Sequence, residues 1–231
     1  MFYMTANRKG KTVGLWGTHD DLKCLHQTVS EFWNDPSKSG NKGYESRNDV
    51  LANFSFLVRK AYERCRKKRK CSHYYPLDEQ EYLGVEISWV QILFALSALK
   101  ENISFQASDK FQTATILQLE YWLERAMHDY DDKGAKGLST FISRRIYSAN
   151  EYLFKYMEVI DAQWMNLKGG KKHFRELPNL LIQTIVLTDE YEQLKEWLEA
   201  RAEQCGCRVE EMRFVYDDQD DKQSEFDFNP N

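Results

Sequence analysis

No segment of the 231-residue chain has the ~20 consecutive apolar residues that a membrane-spanning helix requires. The N-terminus, MFYMTANRKGKT, lacks the positive start and apolar core of a secretory signal. Cysteine is scarce and odd in number, at five. Without a signal, that reads as free thiols in a reducing compartment rather than a disulfide framework. These absences point to a cytoplasmic protein with no membrane partner. Net positive charge is missing too: 32 Lys and Arg face 36 Asp and Glu, for −4 overall. No global field therefore draws the chain to nucleic acid or to an anionic bilayer.

Complete catalytic signatures are also lacking. There is no G-x-S-x-G, no H-E-x-x-H and no dinucleotide fingerprint. Arg8-Lys9-Gly10-Lys11-Thr12 ends like a phosphate-binding loop, but Thr5 stands where the first glycine is needed, so a basic hairpin turn is the better reading. Asp129 to Gly134 resembles half of a calcium loop. Lys133 occupies a ligand position and Thr140 the place of the closing glutamate, which excludes a cage. Glu120, Glu124 and His128 share one helix face, yet carboxylate bundles need Glu-x-x-His on each of two helices. Cys65, Cys71, His73, Cys205 and Cys207 could bind zinc if they converged, although their spacing is not that of a zinc knuckle or ribbon. The expectation is no catalytic residue, no metal and no cofactor, with a metal-dependent enzyme as the weakest alternative.

What is present is apolar sequence with clear periodicity. Leu83, Val85 and Ile87 alternate with polar or small residues, as in a half-buried strand. Ser88 then offers a cap, with Gln91 three residues on. From Trp89 to Lys100 the residues are apolar on nearly every side, so this must be a core helix that others wrap. Phe2–Met4 and Thr12–Trp16 form a hairpin, with Leu83–Ile87 as a third strand. Thr18 caps a helix that buries Leu22, Leu25, Val29 and Phe32. Asn34–Gly43 is a loop, and a helix starts at Asn48 or Asp49. Asn102–Ala107 connects to a helix capped by Ser108 and running to Tyr130, with Phe111, Ile116, Leu119, Leu123 and Met127 inward. Asp131–Gly137 is a turn, followed by helices over 138–147 and 149–167, the latter striped by Leu153, Tyr156, Met157, Ile160, Trp164 and Leu167. Thr188 caps a last helix ended by Gly206, and Phe214–Tyr216 is a closing strand. The fold class is α+β: one predominantly helical domain over 1–216 with a small N-terminal antiparallel sheet, then an acidic, disordered tail over 217–231.

The hairpin followed by Gly14-Leu15-Trp16-Gly17 and Asp20-Asp21-Leu22, with the strand-to-helix passage around Gly84-Val85 and Ile92-Leu93-Phe94, resembles a bacterial protein family of unknown function over the first half of the chain. The resemblance implies a bacterial, mixed helical protein and carries over no activity.

Two opposite charge concentrations remain. Between Arg59 and Lys70, eight cations fall within twelve residues, six of them being Arg64, Arg66, Lys67, Lys68, Arg69 and Lys70. Read as a basic helix end followed by Tyr74 and Tyr75, the tract could neutralise phosphates and stack on bases. Read plainly, it is a solvated end. Asp217, Asp218, Asp220, Asp221, Glu225 and Asp227 face only Lys222, with Phe226 and Phe228 interleaved. Such a segment can dock on a basic protein partner, mask the chain's own basic tract, or merely solubilise. The expected function is a non-enzymatic interaction protein with a protein partner engaged through its helical surface and Asp217, Asp218, Asp220, Asp221, Phe226 and Phe228. Nucleic-acid binding through Arg64–Lys70 is the alternative.

Overall fold

In a computed structural model, residues 1–33, 40–63, 67–72, 79–212 and 214 are described. The strands are β1 (Tyr3–Ala6), β2 (Thr12–Gly17), β3 (Lys67–Ser72) and β4 (Glu79–Ser88), all antiparallel in the order β1-β2-β4-β3. Alternation decides the two faces. Phe2, Met4, Val13, Leu15, Leu83, Val85 and Ile87 are buried against helices. Tyr3, Thr5, Gly14, Trp16, Gly84 and Glu86 lie on the opposite face by the same period. The expected hairpin and its third strand are both present, and β3 adds a strand at the far edge.

The helices are α1 (His19–Glu31), α2 (Tyr44–Tyr62), α3 (Trp89–Phe105), α4 (Lys110–Tyr130), α5 (Asp132–Thr140), α6 (Leu153–Asn166), α7 (Lys171–Phe174), α8 (Leu177–Leu181) and α9 (Asp189–Cys205). A π-helical segment, Phe141–Arg145, continues α5, and a 3-10 turn, Ile182–Thr184, continues α8. α3 is the organising element, packed on α2, α4, α6, β4 and the π segment. Trp89, Val90, Ile92, Leu93, Phe94, Ala95, Leu96, Ala98 and Leu99 are all at most 1% exposed, so every side of this helix is covered. Buried residues from Phe2 to Met212 join in one hydrophobic cluster. The fold is α+β, mostly helical with a small antiparallel sheet.

Capping chemistry sets several boundaries. Thr18 with Asp21 and Ser88 with Gln91 form reciprocal capping boxes. Thr188 caps α9, and Gly206, in a left-handed conformation, ends it. Several expectations need correction. α2 begins at Tyr44, a turn before Asn48, because Gly43 enters it from left-handed backbone (φ 70°). α3 runs through Asn102 to Phe105, since the Asn102 amide serves distant groups instead of breaking its own helix. Asp109, not Ser108, caps α4, and Phe111 points outward at 60% exposure. The segment after Asp131 is helical. Its Gly134 lies so close to Phe174 that a Cβ would come within 2.5 Å of the ring, and the Asp131 carboxylate accepts the Gly134 N–H. The helix expected over 138–147 gives way after Thr140 to the π segment. Leu153 begins α6, later than the expected 149, and its stripe of Leu153, Tyr156, Met157, Ile160 and Trp164 is buried. The closing strand expected at 214–216 lies outside the described residues except for Phe214, which is in no strand and stacks at 6.3 Å on Trp197.

Candidate functional site

The structure divides the basic tract. Arg59 and Lys60 occupy the last turn of α2, both over the Phe56 ring at 5.5 and 5.2 Å. Arg64 and Arg66 lie outside the described residues. Lys67, Lys68, Arg69 and Lys70 form the start of β3, not a helix end. A partner strand, β4, overrides any helical tendency, with Lys67 opposite Gly84, Lys68 opposite Leu83 and Arg69 opposite Tyr82. Lys67, Lys68 and Arg69 are exposed. Lys67 pairs with Glu86, whose carboxyl it holds below the usual range, and Lys68 lies 3.2 Å from Glu81. On the open sheet face the Trp16 indole lies flat across two glycines. A Cβ at Gly84 would come within 2.4 Å of its ring and one at Gly14 within 2.5 Å. The Arg69 guanidinium sits 5.9 Å from the Trp16 ring, and Tyr3 stands edge-on to Tyr82 at 5.5 Å. Lys67 and Arg69 therefore share one sheet face with these aromatics, while Lys68, opposite Leu83, belongs to the other face.

Other candidate clusters come apart. Glu120 pairs with Lys100, whereas His128 bonds Asp132 at 2.8 Å on the next helix. Among the described residues no three His, Cys, Asp or Glu side chains are placed to hold a metal. Cys205 is exposed and Cys207 half-buried, both as free thiols. Cys65, His73 and the side chain of Cys71 lie outside the described residues, as do Asp217, Asp218, Asp220, Asp221, Phe226 and Phe228. The aspartates of the half calcium loop are engaged elsewhere. Asp131 caps α5 and takes two bonds from Arg175 at 2.8 Å, which hold its carboxyl down at about 2.

Two polar centres were not visible in the sequence. One surrounds Arg47, which is 1% exposed. Its Nε donates to Asn102 Oδ1 at 2.8 Å, and its Nη1 to the Lys42 and Ser148 carbonyls at 3.0 and 2.9 Å. Beside it opens a cleft of about 380 Å³ between α3, the π segment and the end of the Ile182–Thr184 turn. Ser97 and Ser148, 8% and 6% exposed, lie in its wall with their hydroxyls 2.6 Å apart. The only signal for the first centre was an arginine at a position where the α2 pattern calls for an apolar residue. Nothing in the sequence signalled the second.

Asp161 on α6 is a half-buried acid of a different kind. Its Oδ2 accepts from Gln91 Nε2 at 2.9 Å, while Oδ1 is buried without a hydrogen-bond partner among the described residues. Burial pushes the carboxyl up to about 6, against the Ser88 and Gln91 bonds that lower it. A raised carboxyl pKa means the folded state holds its proton where the unfolded chain has released it. Stability then falls as pH rises from about 4 to about 6. Asp161→Asn should remove that slope and stabilise the fold at pH 7 by about 1–2 kcal/mol, as read by urea unfolding across pH.

Among the described residues no helix is long and apolar enough to cross a membrane. No curated protein and no solved structure matches the chain. A family model does match, and it extends the resemblance seen in the first half to residues 1–223: the chain belongs to the DUF6904 family, a domain of unknown function.

Proposed function

We propose that this is a non-enzymatic interaction protein of the bacterial cytoplasm that takes an acidic, extended polypeptide along strand β3. One observation carries the reading: β3 ends the sheet order, so β4 is its only strand neighbour among the described residues. An edge strand turns alternate N–H and C=O groups outward, and an added strand can satisfy them. Exposed Lys67, Lys68 and Arg69 deter neutral or basic strands and favour an acidic one. The tail residues Asp217, Asp218, Asp220, Asp221, Phe226 and Phe228 belong to the same reading as a partner-binding segment whose charge also suits the chain's own β3.

A synthetic peptide of residues 217–231 tests it. Protein lacking those residues should bind the peptide more tightly than the full chain, and added salt should weaken the complex. Lys68→Glu with Arg69→Glu should cost about tenfold in affinity. Failure of the truncated protein to bind at low salt would refute the reading. Nucleic acid remains the second reading, favoured by the Arg69–Trp16 contact on the open face. It ranks second because the chain as a whole is acidic, with a net charge of −4, which opposes association with a polyphosphate. A thymidine oligonucleotide that bound with a steep salt slope, reduced by reversal of Lys67, Lys68 and Arg69, would reverse that order.

A further inference from the structure

We infer that the cleft beside Ser97 and Ser148 is a binding site for a small organic anion, a phosphate or carboxylate group carried on an apolar body. The argument begins with hydrogen-bond accounting. The two serine hydroxyls hold two protons, and the 2.6 Å contact between them uses one. Among the described residues, the one other acceptor these hydroxyls reach is the Ile146 carbonyl, 3.4 Å from Ser97 Oγ and 3.3 Å from Ser148 Oγ. Good O–H···O bonds run ~2.5–3.0 Å, so the second proton is weakly held. It sits on a buried hydroxyl in the wall of an open cleft. An acceptor entering the cleft would give it the short bond it lacks.

Charge agrees with that demand. Lys100, 21% exposed, uses two of its three ammonium protons on Glu120 and the Ile142 carbonyl, and lines the cleft with one left. Arg145 lines it from the end of the π segment and makes no ion pair among the described residues; its guanidinium lies 5.9 Å from the Phe141 ring. Behind the wall, Arg47 adds a positive charge whose bonds go to an amide and to carbonyls, one of them that of Ser148. The acids nearby are Glu101, in the lining, and Glu120, held by Lys100. Among the described residues, three cations against two carboxylates, with a spare hydroxyl proton, favour an anion and disfavour an amine.

The rest of the cleft suits an apolar body. Ile146, Ile185 and Val186 line it, Val186 being 38% exposed. Leu187, next in the chain, is held in left-handed backbone (φ 70°) with 89% of its surface in water. A leucine in that conformation is strained and here gains no burial in return. A π segment and an unfavourable φ at one opening are the irregularities that binding sites concentrate. The volume, about 380 Å³, falls at the lower end of the ~300–1,000 Å³ typical of small-molecule sites.

The test titrates the full chain with phenyl phosphate, benzoate, inorganic phosphate and benzylamine, followed by calorimetry and by amide shifts of residues 97–104 and 143–148. At least one of phenyl phosphate and benzoate should bind, about tenfold more tightly than inorganic phosphate, and benzylamine should not. Which aromatic anion binds separates a phosphate from a carboxylate ligand. Arg145→Gln, at an exposed position, should weaken that binding at least about tenfold without changing the unfolding temperature. Ser148→Ala should weaken it several-fold. Neither aromatic anion binding at millimolar concentration, inorganic phosphate matching both, benzylamine binding equally well, or Arg145→Gln leaving affinity intact would each overturn the inference. None of these results depends on β3, so failure here and failure of the edge-strand reading are separable.

Discussion

Arg47→Ala is expected to destabilise the protein by about 3–5 kcal/mol, the largest effect of any single side-chain truncation proposed here. The guanidinium is 1% exposed, and among the described residues its hydrogen-bond partners are neutral. It holds the Lys42 carbonyl just before α2, Asn102 on α3 and the Ser148 carbonyl, the last of them 101 positions from Arg47 in sequence. Asn102 continues the chain of bonds, donating to the Phe32 carbonyl at the end of α1 at 2.7 Å. Truncation would leave two buried acceptors, on Asn102 and Ser148, without this donor, each costing about 1–3 kcal/mol, with the part-buried Lys42 carbonyl and a cavity besides. Burial lowers the arginine pKa from its ordinary value, but a guanidinium still remains charged at any usual pH. Arg47→Lys should recover only part of the loss, because an ammonium cannot direct donors along the guanidinium's planar fork. Urea unfolding gives the answer. A cost under about 1 kcal/mol for Arg47→Ala would show that water enters and replaces the side chain.

That network also marks where sequence reading stops. Thr18 with Asp21 and Ser88 with Gln91 were legible because a capping box is closed within four residues. The core role of Trp89–Leu99 was legible because only burial suits a segment apolar on every side. At Ser108 and Asp109 two caps stand side by side, and the choice between them falls to Gln112, which completes a box with Asp109. Lys67–Lys70 was read as a helix end because cations carry no period. Its strand character comes from β4, whose Gly84 and Leu83 lie opposite Lys67 and Lys68 although they follow much later in the sequence. Gly134 and Gly137 suggested a turn, yet both are helical because Phe174 and Pro178 approach where side chains would stand. The basic surface was thus visible in composition and its geometry was not. The Arg47 network and the serine cleft were hidden for one shared reason. Each assembles from α3 and the segment around Ser148, and beyond an arginine on the apolar face of α2 neither leaves a local pattern.

Gly10→Ala is expected to cost about 3 kcal/mol or more, because it strikes the point where the hairpin enters the helices. Gly10 has φ 68°, and an added Cβ would stand 2.0 Å from Tyr130 Oη and 2.2 Å from Cζ. Tyr130 cannot simply swing away, since its ring meets Phe174 edge-on at 5.2 Å, and Phe174 packs at 5.3 Å on Trp89. The turn's carbonyls are equally committed. Trp89 Nε1 donates to Gly10 O at 2.9 Å, Trp164 Nε1 to Lys11 O at 2.8 Å, and the Gly170 N–H to Lys9 O at 2.7 Å. This is why Arg8–Thr12, whose composition suggests a phosphate loop, works as an anchor instead: two tryptophans and a backbone amide hold it against α3 and α6. Pairing Gly10→Ala with Tyr130→Leu separates the two contributions. The shorter side chain should relieve the collision and leave only the left-handed strain of about 1–2 kcal/mol. If Gly10→Ala alone costs no more than that, the Tyr130 ring yields freely and the hairpin is not locked against the helices.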